Sequence, residues 1–210
     1  MDSVKSRRSY QSGRRTQQAR ETREAIVDAA QALFLDTGFT TTIAAVAAQA
    51  GVSVETIYKG FGGKPGLVRA ICQRALAGEG PVPAEDRSDN LQAAEPDPRE
   101  IIRGWGALTT EVAPRVAPIL LLVRAAAVAE PEMAQLKAEL DTARLTRMTH
   151  NAKGLASRGH LKPGLTVRKA AEVMWAYSSP ELYELLVLTR GWPLSRYGTF
   201  IADAMIAALL

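Results

Sequence analysis

The stretch Val54-Glu55-Thr56-Ile57-Tyr58-Lys59 sets short hydrogen-bond donors, a phenol and a cation around one apolar residue. Those side chains suit contact with a partner rich in acceptors, and they do not suit bond making. Thr56 and Tyr58 can donate to phosphate or base oxygens, the Val54 methyls can meet a thymine methyl, and Lys59 can neutralise a phosphate. Lys64 adds a cation at a helix start, where free N–H groups favour an anion. Glu55 either accepts from a cytosine amino group or points sideways. No nucleophile–base spacing or phosphate-cradling loop occurs, so the chain is not expected to be an enzyme. His150 and His160 lack Cys/His neighbours at ligand spacing, and Cys72 is the only cysteine. Neither a metal site nor a cofactor is expected.

Such a face needs a helix held away from the body, and the flanking residues provide one. Gly51 tolerates the positive φ of a tight turn between two helices, 43–50 and 53–60. Ala47 is small enough for the second helix to cross it. Val46, Ala50, Val52 and Ile57 fill the angle between them. This is a helix-turn-helix pattern, with Ser53 at the cap of the second helix and one of Thr40 to Thr42 at the cap of the first. Ahead of it, Ile26, Ala29, Ala30, Leu33 and Phe34 recur at helical spacing from about Thr22, and Gly38 ends that helix. Behind it, Gly62-Gly63 breaks the chain and Lys64-Pro65 opens a fourth helix.

Charge follows the same division. Residues 1–74 hold 11 Lys/Arg against 6 Asp/Glu, whereas residues 75–210 hold 15 against 16. The excess positive charge therefore sits in the first third and points to a polyanionic partner. Residues 1–20 read as a flexible basic arm, from which Arg14, Arg15 or Arg20 could reach a minor groove. No apolar run reaches the roughly 18–20 residues of a membrane span, and no secretory leader is visible. A cytoplasmic protein is expected.

Residues 22–71 resemble the DNA-binding region of the TetR-like (tetracycline-repressor-like) transcriptional regulators. The resemblance is carried by "REAIVDAAQALFLDTGF", "TTIAAVAAQAGVS" and "ETIYKGFGGKPGLVRAI". It implies that Thr42 caps the second helix and touches phosphate, that Thr56, Tyr58 and Lys59 meet DNA, and that Lys64 meets phosphate. Ser53 and Val54 belong to the same surface. Gly60 stands where an aromatic or His is frequent, and Pro65 replaces a common Glu.

The resemblance also implies an all-α fold with three parts. These are the arm (1–20), a helix-turn-helix domain (21–65) and a larger helical domain (66–210) that binds a ligand and dimerises. Gly and Pro in 78–98 read as a loop or partly disordered connector. Helices are expected near 98–112, 115–129, 131–157, 166–178, 180–190 and 194–209. The last two or three are candidates for a homodimer surface. Trp105, Leu108, Leu121, Met148, Trp175 and Tyr177 are candidates for a mainly apolar effector pocket. The expected function is a repressor that binds a palindromic operator as a homodimer and is released by a small molecule. A DNA-binding dimer without an effector is the rival reading, and a small helical enzyme is a distant third.

Overall fold

The computed structural model describes the backbone of residues 3–78 and 80–210, with side chains from residue 15 onward. The described residues are helical and contain no strand. The chain divides into two compact units, Met1–Ile71 and Cys72–Leu210.

In the first unit, α1 (Ser3–Thr37) is followed by a 3-10 turn (Gly38–Thr40), α2 (Ile43–Ala50) and α3 (Val54–Phe61). α4 (Lys64–Ala77) begins in this unit and ends in the other. Helix α1 starts well before Thr22, which corrects the expectation of a disordered arm through residue 20. The reason is local: Gln17 Nε2 lies 2.8 Å from Glu21 Oε1, and Arg20 lies 3.6 Å from Glu24. Pairs four apart support a helix turn by turn, and no proline interrupts them. Ile26, Ala30, Phe34, Val46 and Ile57 are fully or almost fully buried, and the Phe34 and Phe39 rings meet edge to face at 5.0 Å.

The second unit contains α5 (Ala84–Ala94), α6 (Pro98–Ala126), α7 (Pro131–Ser157), α8 (Val167–Tyr177), α9 (Pro180–Tyr183), a π-helical segment (Glu184–Thr189) and α10 (Leu194–Leu209). Two expectations change here. Residues 84–94 form a helix inside the supposed connector. Residues 98–126 form one helix rather than two, with Pro114 and Pro118 inside it. These prolines are four apart, so the lost N–H donors fall on one side of α6 and leave its other faces bonded. By length and composition α6 is apolar enough to cross a membrane. Here Ile101, Ile102 and Trp105 are instead buried in one core with Tyr197, Ile201 and Met205 of α10. α6 and α10 approach closely: a Cβ on Gly106 would lie 2.6 Å from the Gly198 carbonyl oxygen.

Candidate nucleic-acid interface and ligand cavity

Helix α3 stands out from its unit on a short, well-capped support. Thr42 Oγ1 accepts from Ala45 N at 3.1 Å and so caps α2. Thr41 is not the cap: it is buried, and its Oγ1 donates to the Leu33 carbonyl at 3.2 Å. Gly51 ends α2 at φ 66°, and the next amide, Val52 N, returns to the Ala47 carbonyl at 3.0 Å. Only a residue without a Cβ adopts that backbone cheaply. Ser53 Oγ then accepts from Thr56 N at 3.2 Å and opens α3.

Ile57 is the one buried residue of α3. Val54, Glu55, Thr56, Tyr58 and Lys59 are all exposed, and Tyr58 keeps 54% of its surface free. Thr56 Oγ1 lies 2.9 Å from Ser53 Oγ, so both hydroxyls already serve the cap. Lys59 Nζ lies 2.8 Å from Glu55 Oε1, which places the carboxylate beside the cation. Lys64 donates to the Phe39 carbonyl at 2.5 Å and ties α4 to the 3-10 turn. Arg15 and Arg20 are exposed on α1. Arg14 lies outside the described side chains.

One residue of this unit escaped the sequence reading. The Arg23 guanidinium stacks on the Phe61 ring at 4.5 Å and approaches the Gly60 carbonyl at 3.5 Å, so it holds the carboxyl end of α3. The two positions lie 37 apart in sequence, and no local pattern announces the pair.

Within the second unit a cavity of about 280 Å³ opens between α4, α5, α6, α7 and the segment around α9. Trp105, Leu108 and Met148 line it, whereas Leu121, Trp175 and Tyr177 do not. Helical phase explains the division. Val116, Leu120 and Val123 turn the cavity side of α6 inward, and position 121 falls off that stripe. On α8, Met174 lines the cavity, while Trp175 packs under Arg144 at 4.3 Å and donates to the Asp141 carbonyl.

Apart from the exposed Glu85, the charged residues around the cavity are paired. Arg124 lies 2.7 Å from Glu184 and 3.3 Å from Glu181, and the Glu184 hydrogen bond raises its pKa. Arg147 lies 2.6 Å from Asp89 and donates to Ser88 Oγ at 2.9 Å. The Arg147 hydrogen bond holds the Asp89 carboxyl below its usual range. Burial pushes the Asp141 carboxyl up, but hydrogen bonds from Lys137 and Arg144 more than reverse this, and its pKa falls. Burial pushes the Cys72 thiol up to about 12, which makes it a poor nucleophile. Burial likewise pushes the Tyr197 phenol up to about 12, with Tyr183 adding to the effect.

Comparison with known proteins bears on the first unit most directly. Residues 26–71 match the model of bacterial regulatory proteins, tetR family. That stretch of the chain is therefore similar to the DNA-binding region of the tetR family. No curated protein matches its sequence. Solved structures of similar fold include the fatty acid degradation regulator FadR from Bacillus halodurans, 16% identical, with a TM-score of 0.70 over 88% of this chain and 94% of that one. NalD of Pseudomonas aeruginosa, the secondary repressor of the MexAB-OprM multidrug efflux pump, is 21% identical. It has a TM-score of 0.66 over 92% of this chain and 98% of its own. SmeT in complex with triclosan is 22% identical, with a TM-score of 0.68 over 90% of this chain and 91% of that one. At these identities the likeness is one of fold. The TetR-family match, together with the exposed α3, makes the chain a DNA-binding transcriptional regulator.

Proposed function

We propose that this chain is a TetR-like cytoplasmic repressor that binds a palindromic operator as a homodimer and leaves it when a small, largely apolar molecule occupies the cavity. The observation that carries this reading is the outer face of α3, where a helix buried only at Ile57 offers Val54, Tyr58 and Lys59 to a groove. Thr42 and Ser53 fix the helix ends that would sit on phosphates, Lys64 would approach a phosphate, and Arg15 and Arg20 would flank the site on α1.

A palindrome implies a twofold dimer. The proposed dimer surface is the carboxy-terminal part, where Leu185, Leu188 and Phe200 are exposed at 53%, 55% and 37%. Large apolar side chains at these exposures favour burial against a mate. The cavity supports an effector, since its walls are mainly apolar and it lies inside the larger unit. Cys72 and Leu76 line it from the same α4 that begins at Lys64. A ligand that biases this helix would alter DNA affinity by about 5–150-fold, the usual range of allosteric coupling. NalD, described as a repressor, and SmeT, seen with triclosan, are consistent with this assignment.

The test is selection of duplexes from a random pool with the full chain. Enrichment of an inverted repeat, with two protomers per duplex in the shifted complex, is expected. Recovery of no preferred duplex would sink the reading.

A further inference from the structure

Helix α3 is fixed by its own residues at one end and by a distant one at the other. Its amino end carries the Ser53 cap and follows the Gly51 turn. Its carboxyl end stops at Gly62, which has a φ of 74°. The last turn of a helix presents free carbonyls and a partial negative charge. Left bare, that end would repel a DNA phosphate.

Arg23 of α1 sits at this end. Its guanidinium lies over the Phe61 ring at 4.5 Å, and one N–H group is turned to the Gly60 carbonyl at 3.5 Å. The side chain is exposed, and among the described residues no carboxylate is its partner. Three other cations of the unit are already committed. Lys59 lies 2.8 Å from Glu55, Arg20 lies 3.6 Å from Glu24, and Lys64 donates to the Phe39 carbonyl.

A guanidinium has five N–H donors in a planar fork that matches two phosphate oxygens. At most one of the five is engaged by Gly60, so the fork keeps donors for an acceptor from outside. Stacking on Phe61 removes rotamer freedom before any phosphate arrives, which lowers the ordering cost of binding. Gly60 leaves the approach open, since a Cβ there would meet nothing within 4 Å.

We infer that Arg23 is a DNA-contacting residue that grips one backbone phosphate beside the carboxyl end of α3, with Phe61 and Gly60 holding it ready for that contact. The inference rests on the reading of α3 as the helix that enters the groove. It adds an anchor that positions this helix and carries no sequence information itself.

The test uses the full chain, the duplex selected from the random pool and an unrelated duplex. Arg23→Gln should weaken binding to both duplexes by about tenfold per protomer. The slope of log K against log salt should fall by about 0.9 per protomer, the value for one phosphate. Arg23→Lys keeps the charge and should restore the slope, with part of the affinity. Single phosphates of the selected duplex are then replaced by uncharged methylphosphonates. At one position in each half-site the replacement should weaken the parent and leave Arg23→Gln unaffected. An unchanged slope, with the loss confined to the selected duplex, would make Arg23 a support for α3 alone and overturn the phosphate contact. Variants that bind like the parent would overturn it, as would an equal response of parent and variant at every methylphosphonate. In each of these cases the parent still prefers its duplex and the repressor reading stands. If the parent prefers no duplex, both fall together.

Discussion

Glu55 Oε1 and Lys59 Nζ lie 2.8 Å apart on the exposed side of α3. The pair is four residues apart in a helix, and both side chains are about three-quarters exposed, at 74% and 76%. In solvent such a pair contributes little to stability. Its consequence is for DNA: the cation proposed to meet a phosphate carries a carboxylate with it. Glu55→Gln should therefore tighten binding to the selected duplex, most visibly at low salt, where the carboxylate's repulsion is least screened. Lys59→Ala should weaken binding across all sequences and reduce the slope of log K against log salt by about 1. Tyr58→Ala should cost about 1–3 kcal/mol if the phenol reads a base edge. Gel-shift titrations at several salt concentrations check all three. A Lys59→Ala protein with an unchanged slope would remove Lys59 from the interface.

Lys64 has a second task inside the first unit. Its ammonium donates to the Phe39 carbonyl at 2.5 Å and is half-buried there. Lys64→Met keeps most of the stem but strands that carbonyl. Loss of the charged hydrogen bond should cost about 1.5–3 kcal/mol of stability, seen as a lower urea midpoint with no DNA present. A midpoint equal to that of the parent would show the tether to be idle and leave Lys64 free for phosphate alone.

The helices with a strong internal period were legible from the sequence. Ile26, Ala29, Ala30 and Phe34 are all buried as their spacing requires, and Gly51 takes the left-handed conformation that the turn reading demanded. Helix α5 was not legible, because its sequence AEDRSDNLQAA has no apolar stripe. It is held from outside: Arg87 forms a bidentate pair with Glu111, Arg147 bonds Ser88 and Asp89, and Gln92 donates to the Asn151 carbonyl at 2.9 Å. Partners 24 to 59 positions away leave no trace in a local window. The cavity was half legible for the same reason. Residue type nominated Trp105, Leu108 and Met148, but it nominated Trp175 equally, and only helical phase separates them. Arg144, Arg147 and Asn151 were missed because polar residues on a long helix resemble a solvated face.

The contact between Gly106 and Gly198 makes a sharp test of packing in the second unit. A Cβ on Gly198 would lie 2.4 Å from Thr110 Cγ2 and 2.7 Å from the Gly106 carbonyl oxygen. A backbone oxygen in a helix cannot withdraw, so α6 and α10 must separate. Gly198→Ala should cost about 1–3 kcal/mol or more by overpacking, although alanine is the better helix former. Gly60 of α3 has open space where a Cβ would go. Gly60→Ala should instead gain about 0.5–1 kcal/mol from helix propensity. Melting curves of the two variants should thus move in opposite directions from the parent. A Gly198→Ala protein as stable as the parent would disprove the close crossing.

Tyr197 is one of the buried groups, with Cys72 and Tyr183, that make stability fall at alkaline pH. The phenol is 1% exposed, its ring meets Tyr183 edge to face at 5.8 Å, and its pKa is pushed up to about 12, chiefly by burial. In the unfolded chain the same phenol titrates near 10. Below about pH 10 both states keep the proton, so the group's contribution is complete and independent of pH. Between about 10 and 12 the unfolded state loses the proton while the native state retains it, and stability falls with rising pH. Two pH units at 1.36 kcal/mol each bound the loss at roughly 2–3 kcal/mol. Tyr183 is raised in the same direction and adds to the slope. Tyr197→Phe keeps the ring and removes the titration, so its stability should fall less steeply across that window. Urea unfolding at several values between pH 9 and 12 measures both slopes. Parallel slopes for parent and variant would show that the Tyr197 phenol ionises in the native state as readily as in the unfolded one.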